Sequence, residues 1–215
     1  MPVENGIVLE TDERARLVAD LFEQLAAAIP GSTVLLRGSL AEGRADPYSD
    51  IDLLWDIPGA SFNAALAELP VTLGRVRPVR SLRFDPDFQH SAKRRLVFIR
   101  FAGVPLFWRV DLDVFAHSVG RDPDYDRDNL SARGTCWSFT ESSLANAIAA
   151  IKALHRGQAT EAAELLTRAE ARVGVTSPTV DLQSRIDLLV DTVAMKDPTT
   201  ASLAAEIRQL LRELP

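Results

Sequence analysis

Two aspartates, Asp50 and Asp52, stand two residues apart at the start of an apolar run that ends at Trp55. Eleven residues before Asp50 the pair Gly38-Ser39 closes an earlier apolar run, 33–36. On an extended strand side chains at i and i+2 point the same way, with Cα atoms about 6.5–7 Å apart. Carboxylates so placed converge on hard divalent cations, and Mg²⁺ is commonly held by one or two carboxylates plus substrate phosphates. Two ions roughly 3.5–4 Å apart can serve the attacking and the leaving oxygen of a displacement. Such a pair needs more negative charge than two aspartates supply, and Asp111 and Asp113, again two apart, are the natural source. Gly38 suits a close approach of backbone to ligand at positive φ. A helix beginning there would offer free N–H groups to phosphate, with the Ser39 hydroxyl beside them.

The elements that must position these groups follow from periodicity and punctuation. Leu17, Val18, Leu21, Phe22 and Leu25 recur at helical spacing after Thr11-Asp12-Glu13, and Pro30-Gly31 ends the pattern. Residues 33–36 and 51–55 read as buried strands, 62–69 as a short helix and 71–79 as a strand. Two β-rich runs flank Ala102-Gly103-Val104-Pro105 and predict a hairpin. With period two, Leu106, Trp108, Val110, Leu112 and Val114 share one face, and Phe107, Arg109, Asp111, Asp113 and Phe115 the other. A face charged in its middle suits the floor of a cleft. Residues 120–134 are polar and rich in turn formers, as in a linker or lid. Beyond them Ser138-Phe139-Thr140-Glu141 has the form of a capping box. Four helical patterns follow, stopped or started at Gly157, Gly174, Ser177-Pro178 and Asp197-Pro198. The expected fold is α+β: a mixed sheet with flanking helices over 1–134, then a helical bundle over 135–215.

The stretch GSLAEGRADPYSDIDLLW, residues 38–55, closely resembles the nucleotidyltransferase signature of the polymerase-β superfamily. That signature is an apolar strand, Gly-Ser, a spacer often carrying Gly-Arg, then Ser-Asp-Ile-Asp and apolar residues. RVDLDVF, 109–115, is similar to the strand that supplies the third carboxylate there. The resemblance implies a nucleotidyltransferase that moves a nucleoside monophosphate from an NTP, ATP first, to a hydroxyl and releases pyrophosphate. Asp50, Asp52 and Asp111 would be the catalytic metal ligands for two Mg²⁺ ions, with Asp113 the rival third ligand. Gly38, Ser39, Arg44, Ser49 and Lys152 would contact the nucleotide, and Asp113 or Glu141 is the candidate base. Small antibiotic-modifying and stand-alone members share the two-part build, so the expected acceptor is a small hydroxylated molecule of aminoglycoside or lincosamide type. Such a role belongs to antibiotic resistance. Transfer of AMP to a protein, as in nucleotidyltransferase antitoxins, and a non-catalytic nucleotide-binding module are the alternatives.

Composition narrows the classes. The chain has 215 residues, a net charge of −6 and one cysteine. That excludes an internal disulfide framework and a generic nucleic-acid binder, so no stable nucleic-acid binding is expected. No apolar stretch approaches the roughly 18 residues of a membrane span, and the first residues show no basic region followed by an apolar run. The expected setting is cytoplasmic, and a homodimer stays open. The charge is uneven: residues 75–100 carry eight Lys/Arg against Asp85 and Asp87. That is a basic rim able to draw a polyanion toward an acidic centre. His90, His117 and His155 read as structural or surface residues, Cys136 as a buried inert thiol, and Trp108 and Trp137 as packing.

Overall fold

The computed structural model describes residues 11–117 and 133–214. The expected linker or lid therefore lies outside the described residues, except for Arg133 and Gly134. The described residues form two compact units that meet in sequence between Trp137 and Ser138.

The first unit is a five-stranded sheet in the order β1-β2-β5-β4-β3. Helix α1 (Thr11–Ala28) leads into β1 (Thr33–Arg37), the single turn α2 (Gly38–Ala41) and β2 (Ile51–Ile57). Helix α3 (Phe62–Val76), β3 (Val79–Phe84), β4 (Arg94–Phe101) and β5 (Val110–Ala116) follow. Strands β1 and β2 are antiparallel, β2 and β5 parallel, and β5, β4 and β3 antiparallel to one another. The parallel step requires a crossover, because two parallel strands cannot be joined by a tight turn. Alternation then sorts the sheet. Ile51, Leu53, Trp55 and Ile57 of β2 and Val110, Leu112 and Val114 of β5 are buried on one face. Leu17, Leu21 and Leu25 of α1 and Leu69 and Leu73 of α3 complete that core. Helices α1 and α3 pack on each other, on β1 and on β3 respectively. The opposite face receives Asp52, Asp111 and Asp113.

Two expected elements differ. Residues 71–79 are not a strand: α3 runs through Pro70 to Val76, and β3 begins at Val79. A proline inside a helix removes one hydrogen bond and costs roughly 3 kcal/mol. Leu69, Thr72 and Leu73 are buried on both sides of it, and full burial of each leucine is worth roughly 1.5–3 kcal/mol. Packing outweighs the breaker. The charged face of the second hairpin strand begins at Val110, so Leu106, Phe107 and Trp108 are all buried in the connection rather than alternating.

The second unit is four helices, α4 (Phe139–His155), α5 (Ala159–Val173), α6 (Leu182–Lys196) and α7 (Ala201–Arg212). Ser138 caps α4 as expected, its Oγ accepting from the Glu141 N–H at 3.1 Å. Gly174 ends α5 in the left-handed region at φ +64. Helix α6 starts at Leu182, not at Ser177-Pro178, because Asp181 caps it by accepting from the Ser184 N–H at 2.8 Å. Arg185 and Glu170 form a two-point ion pair (2.9 and 2.8 Å) that ties α6 to α5. Cys136 is exposed, against expectation; it lies in the extended segment before α4, outside both cores. Among the described residues no helix is long and apolar enough to cross a membrane.

Candidate active site

Register brings the acids together. Asp52 of β2 and Asp111 of β5 are direct partners in the parallel ladder, and Asp50 precedes β2 by one residue. The Ile51 N–H donates to the Arg109 carbonyl at 2.9 Å, which locks the entry of β2 onto the entry of β5. Strand β1 runs the other way and pairs Arg37 with Asp52, so Gly38 turns the chain directly beside that carboxylate. Gly38 has φ +61, and a Cβ there would fall 2.2 Å from Asp52 Oδ2 and 3.0 Å from its Cγ. Only glycine fits between the turn and the acid. Ser39 follows at the start of α2, half-buried.

Arginines compensate this charge. Arg109 donates from Nε and Nη2 to the two oxygens of Asp111, both at 2.6 Å. Burial works against its charge, but Asp111, then Asp50 and Asp52, outweigh that and hold its pKa above the ordinary arginine value. Arg94 takes both oxygens of Asp113 at 2.9 and 3.0 Å, and Arg37 reaches Asp113 at 3.5 Å. Asp113 pairs in the ladder with Leu54 rather than with either site aspartate. Among the described residues no three His, Cys, Asp or Glu groups stand together as metal ligands; both oxygens of Asp111 are directed to Arg109.

The loop that carries Asp50 is clamped from α1. Arg14, 5% exposed, donates through Nη1 to the carbonyls of Asp46 (2.6 Å) and Ser49 (3.0 Å). Its guanidinium lies 5.7 Å from the Trp108 ring centroid, and Trp108 Nε1 donates to the Pro47 carbonyl at 2.8 Å. Burial lowers the Arg14 pKa, opposed by Asp46. Tyr48 meets Phe107 edge-on at 5.3 Å. Arg14 was missed in the sequence, although it falls three residues before Leu17 on the apolar stripe of α1. An arginine on a core stripe signals a buried carbonyl or carboxylate partner. Arg14→Met is expected to leave these carbonyls without a donor, at about 1–3 kcal/mol. Thermal melting checks this, with Arg14→Lys recovering part of the loss.

The remaining candidates separate. Ser49 is buried and spends its hydroxyl on Asp46, donating to Oδ1 at 2.9 Å and accepting from the Asp46 N–H at 3.1 Å. Arg44 is exposed and paired with Glu42. Glu141 and Lys152 lie in the second unit, Glu141 in the first turn of α4 and Lys152 buried near its end. His117 Nδ1 lies 3.0 Å from Asp56 Oδ1, two residues along the acid face from Leu54.

No protein-family model and no curated protein matches the sequence. Among solved structures the chain is similar to Cid1, described for its RNA terminal uridylyl transferase activity, at 16% identity and TM-score 0.39, covering 83% of this chain and 47% of that one. It is also similar to a cytoplasmic RNA terminal U-transferase (17% identity, TM-score 0.37, 84% and 46% covered). A third is a structure of the GLD-2/RNP-8 complex (16% identity, TM-score 0.35, 88% and 56% covered). The chain spans about half the length of these structures.

Proposed function

We propose that this protein is a divalent-metal-dependent nucleotidyltransferase that moves a nucleoside monophosphate from an NTP to the hydroxyl of a small acceptor. The supporting observation is the seat of Gly38 on Asp52, with Asp111 the ladder partner of Asp52. What supports the reading is that strand register sets the Gly38-Ser39 turn against the Asp52 carboxylate. The donor set is all carboxylate oxygen, which fits a hard cation. Asp50 and Asp52 would hold Mg²⁺, joined by Asp111. Bound there, the ions would neutralise triphosphate charge and favour ionisation of the acceptor hydroxyl. The Gly38 backbone and the Ser39 hydroxyl grip the β- and γ-phosphates. The acceptor oxygen bonds to the α-phosphorus as the α–β bridging P–O bond breaks. Pyrophosphate leaves with that electron pair, and the hydroxyl proton passes to water. Arg94 holds both oxygens of Asp113, so neither is directed to an acceptor hydroxyl. Positioning and charge neutralisation carry most of such a reaction, so a fixed scaffold suffices.

The test is incubation with Mg²⁺, each labelled NTP and a panel of hydroxyl acceptors, reading pyrophosphate release. Acceptor-dependent release supports the proposal. Absence of both release and Mg²⁺-dependent NTP binding overturns it.

Arg109 makes a separate prediction. Its guanidinium neutralises Asp111 and competes with a cation for the same oxygens. Arg109→Met is therefore expected to lower the metal-free melting temperature and to enlarge the rise that Mg²⁺ or Mn²⁺ gives, because binding to the native state alone raises stability in proportion to affinity. Melting with and without metal measures both; an unchanged metal increment would show that Arg109 does not compete.

A further inference from the structure

Across the sheet the acid face changes character. The phosphate turn is at the β1 edge, the acids are central on β2 and β5, and β4 and β3 lie beyond them. On that far side Phe98 is the ladder partner of Asp111, and Arg83 is the partner of Phe98. Arg83 lies 5.1 Å from the Trp137 ring centroid and 5.7 Å from that of Phe98, and the two rings stand 6.1 Å apart at 63°. Arg109 covers Phe98 at 4.8 Å. The shelf is built, not incidental. The Gly134 N–H donates to the Pro86 carbonyl at 2.7 Å, and a Cβ on Gly134 would fall 1.6 Å from Gln89 Oε1. The segment that presents Trp137 is thus pressed onto the sheet unit. Trp137 and Phe98 are both half-buried, whereas Trp55 and Trp108 are 0% and 1% exposed. The same strands belong to the basic stretch 75–100.

Phosphoryl transfer places attacking and leaving oxygens roughly in line. With the leaving pyrophosphate at the β1 side, the acceptor must approach from β4 and β3. Resting on the proposed nucleotidyl transfer, we infer that the acceptor carries a flat ring and negative charge, as a nucleotide does, and docks on the Arg83–Trp137–Phe98 shelf. Planar rings stack on indole and guanidinium faces, and the Arg83 guanidinium beside Trp137 attracts phosphate.

Trp137 supplies its own reporter. Metal-free protein is titrated with a nucleoside monophosphate, with a short single-stranded oligonucleotide bearing a free 3′-hydroxyl, and with an aminoglycoside, following tryptophan fluorescence. A saturable change with a nucleotide ligand, weakening as salt rises, is expected. Response to the monophosphate assigns a free nucleotide, and response to the oligonucleotide alone assigns a strand end. Anisotropy of the dye-labelled ligand should show affinity lower by about tenfold in Arg83→Gln and Trp137→Ala, and less in Trp137→Phe, which keeps a ring. Melting of each variant identifies any that fails to fold; Arg83→Gln and Trp137→Phe keep the comparison open if Trp137→Ala does. No response to either nucleotide ligand, wild-type affinity in Arg83→Gln and Trp137→Phe alike, or tighter binding of the aminoglycoside overturns the inference. Mg²⁺-dependent NTP binding is measured separately: its absence with the shelf intact sinks the proposed transfer, not the shelf.

Discussion

Asp52→Asn is expected to reduce nucleotidyl transfer by at least about 10²-fold, the scale on which losing one preorganised electrostatic partner of a transition state is felt. Asp50→Asn should do the same. Asp52 and Asp111 are ladder partners at the joint entry of β2 and β5, and Asp50 immediately precedes β2. Replacing Asp50 or Asp52 by its neutral isostere relieves repulsion among the acids, removes some attraction to the Arg109 guanidinium and keeps the shape. The melting temperature of metal-free protein should therefore stay within a few degrees, while the stabilisation given by Mg²⁺ shrinks. Pyrophosphate release and melting with and without metal read the two effects independently. Full activity in either variant would remove that aspartate from the metal-binding set. Loss of activity together with a large fall in metal-free stability would mean that the carboxylate supports the fold, and the argument from ladder register would fail.

Gly38→Ala should be nearly as damaging, for a different reason. The left-handed backbone at φ +61 strains any residue with a Cβ, at about 1–3 kcal/mol. For a chain of this size each kcal/mol lowers the melting temperature by roughly 2–4 °C. The second effect is specific. The new methyl would lie 2.2 Å from Asp52 Oδ2, so either the carboxylate or the turn must move, and a displacement near 1 Å in an active site can reduce rate about 10²-fold. Gly43 supplies the control. It has nearly the same backbone, φ +66, but nothing within 4 Å of its hypothetical Cβ. Gly43→Ala should lose comparable stability and keep activity. If the two variants lose activity equally, the contact between turn and acid is not what the reaction needs.

Within the chain some features were readable because they are local. The Gly-Ser turn, the paired aspartates and the alternation that buries Ile51, Leu53 and Trp55 all depend on residues within two or three of one another. The helix ends at Ser138 and Gly174 were legible for the same reason, since caps satisfy orphan backbone groups locally; the fourth helix of the second unit, expected to start at Asp197-Pro198, begins at Ala201 after a 3-10 turn that Asp197 caps. Misreadings arose where distant packing overruled a local signal. Pro70 marks a break, yet Leu73 is buried beyond it in continuing helix. Ser177-Pro178 has the form of a cap, but Val180 is 94% exposed and the helix waits for Asp181.

The sequence by itself determined which residue types could do chemistry and the shared face of Asp52, Asp111 and Asp113 on their strands, because side-chain direction on a strand alternates with period two. It could not place β2 beside β5. The parallel register that sets Asp52 against Asp111 and Asp113 against Leu54 is chosen by long-range pairing across a crossover of about 50 residues. Nor could it find Arg94 on Asp113, Arg14 under the 46–49 loop or Arg83 on Trp137. Those contacts join residues 19, 32 to 35 and 54 positions apart. Only the folded sheet, by closing these distances, decides which charges cancel and which remain to meet a ligand.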